Sequence, residues 1–180
     1  RESTGKCKYA VKCLRSDLGD PRRLRWAVKD LEHEVNLLAA IDHPQIIKVY
    51  AKSASGVKAS HCTQERVNDF FIVMDRLSST LTDKIAHWKR EMSRIATSSP
   101  FARRKSLEAV KKNELFVGRL RVAYDVACVI AYLHQERIVY RDLKPDNIGF
   151  NVEDKCKLFD FGMARRLPTD PKKKRANDTY

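Results

Sequence analysis

The sequence lacks any Cys-x-x-Cys pair. Its five cysteines, Cys7, Cys13, Cys62, Cys128 and Cys156, are scattered and odd in number. That argues against a disulfide scaffold and reads as a reducing compartment with mostly buried thiols. No uninterrupted apolar run reaches the roughly 18 residues of a membrane helix, so no membrane span is expected. The N-terminus is polar, has no signal-peptide core and does not begin with methionine; both ends look cut. Acidic charge is scarce: 36 Lys+Arg stand against 23 Asp+Glu, a net charge of +13. Such an excess favours acidic partners of any kind, whether peptide, nucleic acid or anionic lipid. No interleaving of aromatic with basic residues marks a nucleic-acid surface, so direct nucleic-acid binding is not expected. A chain of 180 residues can bury one good core or parts of two lobes.

What is present centres on Ile138-Val139-Tyr140-Arg141-Asp142-Leu143-Lys144-Pro145-Asp146-Asn147. A carboxylate, an ammonium and an amide fall within the six positions from Asp142 to Asn147. Asp160-Phe161-Gly162 follows, directly behind Cys156-Lys157-Leu158-Phe159. An acid and an amide in a loop, then a strand ending in a second acid, is an arrangement suited to phosphoryl transfer. One carboxylate orients a hydroxyl, while the amide oxygen and the second carboxylate offer hard oxygen ligands to Mg2+.

On these residues the stretch resembles the catalytic loop of the eukaryotic protein kinases, with Tyr140 where many members have histidine. Asp160-Phe161-Gly162 resembles their metal-binding triplet. Upstream, Lys8 to Leu14 alternates and is rich in strand formers. If Val11 faces the core, Ala10 and Lys12 share the opposite face. A turn over Ser16 to Pro21 precedes a helix from about Arg22 to Ala40. There Leu24, Val28, Leu31, Val35 and Leu38 make one apolar stripe. Glu34 borders that stripe and so needs a cation. Ile46 to Tyr50 and Phe70 to Met74 read as strands, the second central because it is continuously apolar. The polar stretch from about Ser53 to Asp69 reads as an insertion. A short helix is expected from Leu81 to about Met92, then a second insertion over Ser93 to Lys112. The best helix runs from about Asn113 to Gln135, with Phe116, Leu120, Ala123, Ala127, Ile130 and His134 on one face that Leu133 and Val126 widen, so that it needs cover on more than one side.

The resemblance implies roles residue by residue. Ala10 would roof an adenine, and Lys12 would hold the alpha- and beta-phosphates of ATP. Glu34 aligns with the family's helix glutamate that pairs with this lysine, and Glu32 is the competing candidate on register. Met74 corresponds to the gatekeeper, and Asp75-Arg76-Leu77 to the hinge, read through its backbone. Asp142 would accept the substrate hydroxyl proton, Lys144 would steady the gamma-phosphate, and Asn147 and Asp160 would hold Mg2+. Leu38, Val49, Tyr140 and Phe161 would stack between the lobes. Lysine two places after Asp142 is the serine/threonine pattern.

Two features depart from the family. Only Gly5 precedes Lys12 where a glycine-rich loop is expected, which reads as truncation. Gly149 falls where a leucine usually floors the adenine. Either affinity drops there, or Ile148 and Phe150 shift to compensate. After Gly162 an activation loop would begin. Arg141 would receive a phosphate from it, with Thr179 and Tyr180 as candidates by position. The basic run Pro171 to Arg175 resembles a nuclear import signal.

The implied fold is α+β: a partial, bilobal protein-kinase-like fold. Residues 1–77 form a small lobe with antiparallel sheet, one helix and hinge, and residues 78–180 an incomplete, mostly helical large lobe. The implied function is an ATP-dependent protein serine/threonine kinase, cytoplasmic, with the nucleus open to it. Its partners are ATP and a protein substrate. The alternatives are a pseudokinase-type binding module and, third, a small-molecule kinase of related fold. The pseudokinase reading is weakened because Lys12, Asp142, Asn147 and Asp160 are all present. A fragment of residues 1–180 alone is expected to be inactive. A radiolabelled-ATP transfer assay on it should give no signal, and robust transfer abolished by Asp142→Asn would refute this.

Overall fold

The computed structural model describes residues 7–14, 20–53, 70–96 and 102–168. Most of the first expected insertion, residues 97–101 of the second and the chain beyond Pro168, with the basic run, Thr179 and Tyr180, lie outside them. So do Thr4-Gly5-Lys6, Cys62 and most of the first turn.

The elements run β1 (Tyr9–Cys13), α1 (Pro21–Ala39), β2 (Val49–Lys52), β3 (Phe71–Asp75), β4 (Ser79–Thr80) and α2 (Leu81–Ala96). There follow α3 (Ala102–Gln135), β5 (Ile138–Val139), β6 (Ile148–Phe150), β7 (Cys156–Leu158) and β8 (Arg165–Arg166). A single 3-10 turn, Pro145–Asn147, leads into β6. The small lobe is an antiparallel sheet of order β1-β3-β2 with α1 against it. Its centre is the continuously apolar β3, as the sequence predicts. The large lobe carries a sheet of order β4-β6-β7, the pair β5-β8, and the helices α2 and α3.

Helix α1 starts where Asp20 accepts a hydrogen bond from the Arg22 N–H at 2.8 Å, with Pro21 in the first turn. An N-cap acid and an early proline satisfy or remove orphan donors there. The predicted stripe Leu24, Val28, Leu31, Val35 and Leu38 is buried throughout, and Glu34 is buried with it at 3% exposure. Val11 does not face the core. It is 60% exposed, and Ala10 and Lys12 take the sheltered side of β1.

The strand expected from Ile46 begins only at Val49. Ile46 and Ile47 instead join the lobes. The Ile47 N–H donates to Leu158 O at 2.9 Å, and the Leu158 N–H donates to Gln45 O at 2.7 Å. Nearby, the Asp42 N–H donates to the Tyr132 hydroxyl at 3.1 Å, and the His43 and Tyr132 rings stack 4.8 Å apart. One apolar cluster therefore runs from α1 and β3 through Ile46 to Val129, Leu133, Leu158 and Phe161.

Three expectations for the rest need correction. Helix α2 runs to Ala96, and α3 begins at Ala102, so most of the expected second insertion is helix. Its lysines, arginines, leucine and glutamate are good helix formers, and the proline lies ahead of the helix start. The buried face of α3 centres on Val129 and Leu133, flanked by Val122, Val126, Ile130 and Tyr132, so of the expected residues Leu133, Val126 and Ile130 pack inward. Phe116 (56%) and Leu120 (52%) are exposed, because the helix is apolar on more than one side and its described neighbours cover one. Among the described residues the thiols are not mostly buried: Cys7 and Cys13 are exposed, Cys128 is half-buried and Cys156 is buried. Among the described residues no helix is long and apolar enough to cross a membrane.

The burial pattern separates two substitutions. Ile72→Ala, at 0% exposure in the central strand, should cost about 2–5 kcal/mol in urea unfolding of the full-length protein. Trp26→Ala, at 66% exposure on α1, should stay within about 0.5 kcal/mol. Equal losses would contradict the assigned core.

Candidate active site

Between the lobes lies a cavity of about 440 Å3, lined by Ala10, Val11, Lys12, Glu34, Ile47 and Met74 from the small lobe. Asp75 and Leu77 of the connecting strand end, with Phe159 and Asp160, complete it. Its size suits one small ligand. Antiparallel register sets Ala10 opposite Met74 and Lys12 opposite Ile72. Residues opposite each other in such a pair share a face, so Ala10 and Met74 reach the cavity together.

At its charged end the Lys12 ammonium lies 2.6 Å from Glu34 Oε2 and 3.7 Å from Asp160 Oδ1. The second Glu34 oxygen, Oε1, is buried with no hydrogen-bond partner among the described residues. Glu32, the alternative on register, does not line the cavity.

The carboxylate of Asp75 is fully engaged elsewhere. It accepts from the Lys48 N–H at 3.0 Å and the Tyr50 hydroxyl at 2.8 Å, and pairs with Lys157 at 3.4 Å. That hydrogen bond, with partial burial, pushes the Tyr50 hydroxyl up to about 12. The carboxylate is therefore not what Asp75 brings to the cavity, and its N–H donates to Lys48 O at 3.1 Å.

The loop from Tyr140 to Asn147 closes on itself. Lys144 Nζ sits 2.7 Å from Asp142 Oδ2. The Asn147 amide nitrogen donates to Asp142 O at 3.0 Å and to Asp142 Oδ2 at 2.8 Å. Both amide hydrogens are thus directed at Asp142, and the amide oxygen is the atom left for a cation. Hydrogen bonds from Lys144 and then Asn147 hold the Asp142 carboxyl below its ordinary range, and Asp142 in turn raises Lys144. Thr82 of α2 steadies the loop from outside, its hydroxyl donating to Asp146 at 2.7 Å.

Tyr140 is buried at 3% exposure, which raises its hydroxyl well above the ordinary value, helped by the charges of Asp160 and Asp142. That hydroxyl donates to Phe159 O. The Phe159 N–H donates to Asn147 O at 3.1 Å. Asp160 follows with φ of 63°, a left-handed conformation, as does Arg141 at 69°; for non-glycine residues this is uncommon and is held only by surrounding structure. Phe161 is fully buried, its ring edge-on to Tyr140 at 5.1 Å. Leu38 is buried in the same cluster, and Val49 packs against it.

The structure thus brings Ala10, Lys12, Glu34, Met74, Asp75, Leu77 and Asp160 to one cavity. Asp142, Lys144 and Asn147 form a separate hydrogen-bonded group, joined to the cavity through Phe159. Among the described residues no cluster of three or more His, Cys, Asp or Glu side chains could hold a metal ion. An oxygen pair with one amide, such as Asn147 and Asp160, is a different donor set, and its chemistry fits a hard cation that keeps other oxygen ligands.

Sequence reasoning missed three contributors. Phe159 and Ile47 line the cavity. His33 of α1 brings Nε2 to 2.7 Å from Ala164 O, tying the helix to the segment after Gly162. None carries a local signal, since each acts on a partner far away in the chain.

The comparisons with known proteins agree with this geometry. The family described as "Protein kinase domain" matches residues 1–180. The chain is 30% identical over 139 residues to "Calcium-dependent protein kinase 6" of Plasmodium berghei, covering 76% of this chain and 7% of that protein. It is 29% identical over 160 residues to "Serine/threonine-protein kinase PknB" of Mycolicibacterium smegmatis, covering 88% and 20%. A shorter stretch of 51 residues is 53% identical to mouse "cAMP-dependent protein kinase catalytic subunit PRKX", covering 28% and 14%. The chain thus spans a fifth or less of the length of each of these relatives.

Two ion pairs here differ in burial. Lys12→Met strands the buried Glu34 carboxylate and should cost about 1–3 kcal/mol. Lys144→Met breaks a pair with both partners about a third or more exposed, where solvent screens the charges, and should cost clearly less. Urea unfolding of the full-length protein separates them. A Lys12→Met loss no larger than that of Lys144→Met would show that Glu34 is not held by this lysine.

Proposed function

Because the chain belongs to the protein kinase domain family, we propose that it is part of an ATP-dependent protein serine/threonine kinase. Residues 1–77 are assigned to its small lobe and hinge, and residues 78–180 to the start of its large lobe. The observation that carries the reading is Lys12 at the end of an apolar cavity, 2.6 Å from Glu34 and 3.7 Å from Asp160. A buried acid that fixes a cation beside a second acid makes a polyphosphate and metal site at the end of a slot for a base.

In this reading Ala10, Met74 and Leu77 enclose the adenine, and the backbone from Asp75 to Leu77 meets its polar edge. Lys12, oriented by Glu34, takes the alpha- and beta-phosphates. Asn147 and Asp160 hold Mg2+, which when bound neutralises phosphate charge. Asp142 aligns the substrate hydroxyl and accepts its proton. Lys144, paired with Asp142 at 2.7 Å, places a positive charge where the transferring group gains negative charge. Lysine at this place supports serine or threonine as acceptor. The substrate is a protein, and the cytoplasm is the assigned compartment, with the nucleus open to it.

Two measurements on the full-length protein test this. Asp142→Asn should lower kcat for phosphate transfer to a protein serine by about 10²–10⁴-fold while ATP affinity stays within about twofold. Unchanged kcat would remove Asp142 from its role. The pH profile follows from the donors on Asp142. They stabilise the charged carboxylate, so protonation requires more acid than usual. The acid limb due to this group should fall below the ordinary value of about 3.9. A limb between pH 6 and 7 that vanishes in Asp142→Asn would contradict the assignment.

A further inference from the structure

Gly149 leaves an open place beneath the base slot, and the structure shows what occupies it. A Cβ built on Gly149 would stand 2.5 Å from Leu77 Cδ1, 3.1 Å from Leu77 Cγ and 3.2 Å from Phe159 Cε1. The first distance is far inside van der Waals contact. The glycine backbone cannot retreat, because β6 is paired on both sides, Gly149 opposite Thr80 of β4 and Lys157 of β7. Ile148 and Phe150 do not fill the place. They flank Gly149 in the strand, so their side chains leave on the other face, and both are buried without lining the cavity. Leu77 and Phe159 do line it.

The backbones that carry both side chains are held in place. The Arg76 N–H donates to Lys8 O at 2.9 Å and the Ser78 N–H to Phe150 O at 2.7 Å, pinning the chain on either side of Leu77. Phe159 is gripped by the Tyr140 hydroxyl at its carbonyl and by Asn147 O at its N–H.

We propose that Leu77 and Phe159 together form the floor of the base slot, in place of a side chain at Gly149, and that Gly149 is required because they occupy its space. The proposal rests on the nucleotide reading above. The floor is an aliphatic branch beside an aromatic ring, a surface suited to the flat face of a purine. A larger residue at Gly149 forces Leu77 out of its rotamer and into the slot.

The test uses the full-length protein with Gly149→Leu, Leu77→Ala, the two combined, and Phe159→Ala. Each is titrated with MgATP and with adenosine, and its thermal midpoint is read without nucleotide. Gly149→Leu should weaken both ligands by about tenfold or more and lower the midpoint. The double variant should recover affinity to within about threefold of the unaltered protein and recover the midpoint, a coupling that independent sites would not show. Phe159→Ala should weaken MgATP and adenosine by the same factor, about fivefold or more, because the floor meets only the base. Purely additive effects in the double variant, or unchanged binding in Phe159→Ala, would overturn the floor while leaving the nucleotide reading intact. Absence of MgATP binding by the unaltered protein would overturn the nucleotide reading and with it the floor; the midpoint would still report whether Leu77 and position 149 compete for space. If Gly149→Leu alone does not fold, recovery of folding in the double variant supports the proposal, and failure of both overturns it.

Discussion

A carboxylate buried at 3% exposure on α1 constrains the small lobe more than any other group. Removing an ion from water costs several kcal/mol unless a counter-charge meets it. Glu34 meets Lys12, which must therefore turn inward on β1. Strand alternation then sends Val11 outward, where it is 60% exposed. Leaving a valine in water forfeits about 1.5–3 kcal/mol at most, less than an unpaired buried acid would cost, so electrostatics decides which face of the strand is sheltered. The same choice places Ala10 beside Met74 through the register of β1 on β3 and so shapes the apolar part of the cavity.

The neighbouring residue carries the constraint into the large lobe. His33 holds Ala164 O at 2.7 Å, while Glu34 holds Lys12. One turn of α1 thus touches the lysine strand on one side and the segment following Asp160-Phe161-Gly162 on the other. Lys12 also lies 3.7 Å from Asp160, so three elements meet around two adjacent helical residues. Moving α1 away would break the ion pair and the histidine contact together. Phe161, fully buried against Tyr140, fills the space below and makes intermediate positions of the helix costly in packing.

Sequence and structure agree where the informative contacts are short in chain distance or periodic. The α1 stripe shows in its spacing, and the centrality of β3 in its unbroken apolar run. The loop of Asp142, Lys144 and Asn147 is bonded within itself over two and five residues, so its chemistry is contained in its own six positions. Legibility fails where a residue's role depends on a distant partner. The length of α3 was hidden because a basic, polar run reads equally as loop or exposed helix. Its buried face was misjudged because two apolar faces compete and only neighbours decide. Ile46 and Ile47 look like strand, yet their backbone pairs with β7 and joins the lobes.

Tyr140 and Gly149 are each ambiguous when read alone, and the fold brings them to one residue. Tyr140 stands where many members of the family have histidine and, being buried, needs a partner for its hydroxyl. It finds the Phe159 carbonyl. Gly149 lacks the side chain expected beneath the base, and the Phe159 ring stands against that place with Leu77. The residue whose carbonyl anchors the catalytic loop is therefore the residue whose ring closes the slot. Phe159 is also next to Asp160 in the chain, so its position sets where that carboxylate begins. An altered base slot would on this geometry be felt at Asp142 and Asp160, through one backbone unit held from both sides by Tyr140 and Asn147. The tyrosine and the glycine are best understood as a pair: the hydroxyl of one holds the backbone whose ring stands against the other.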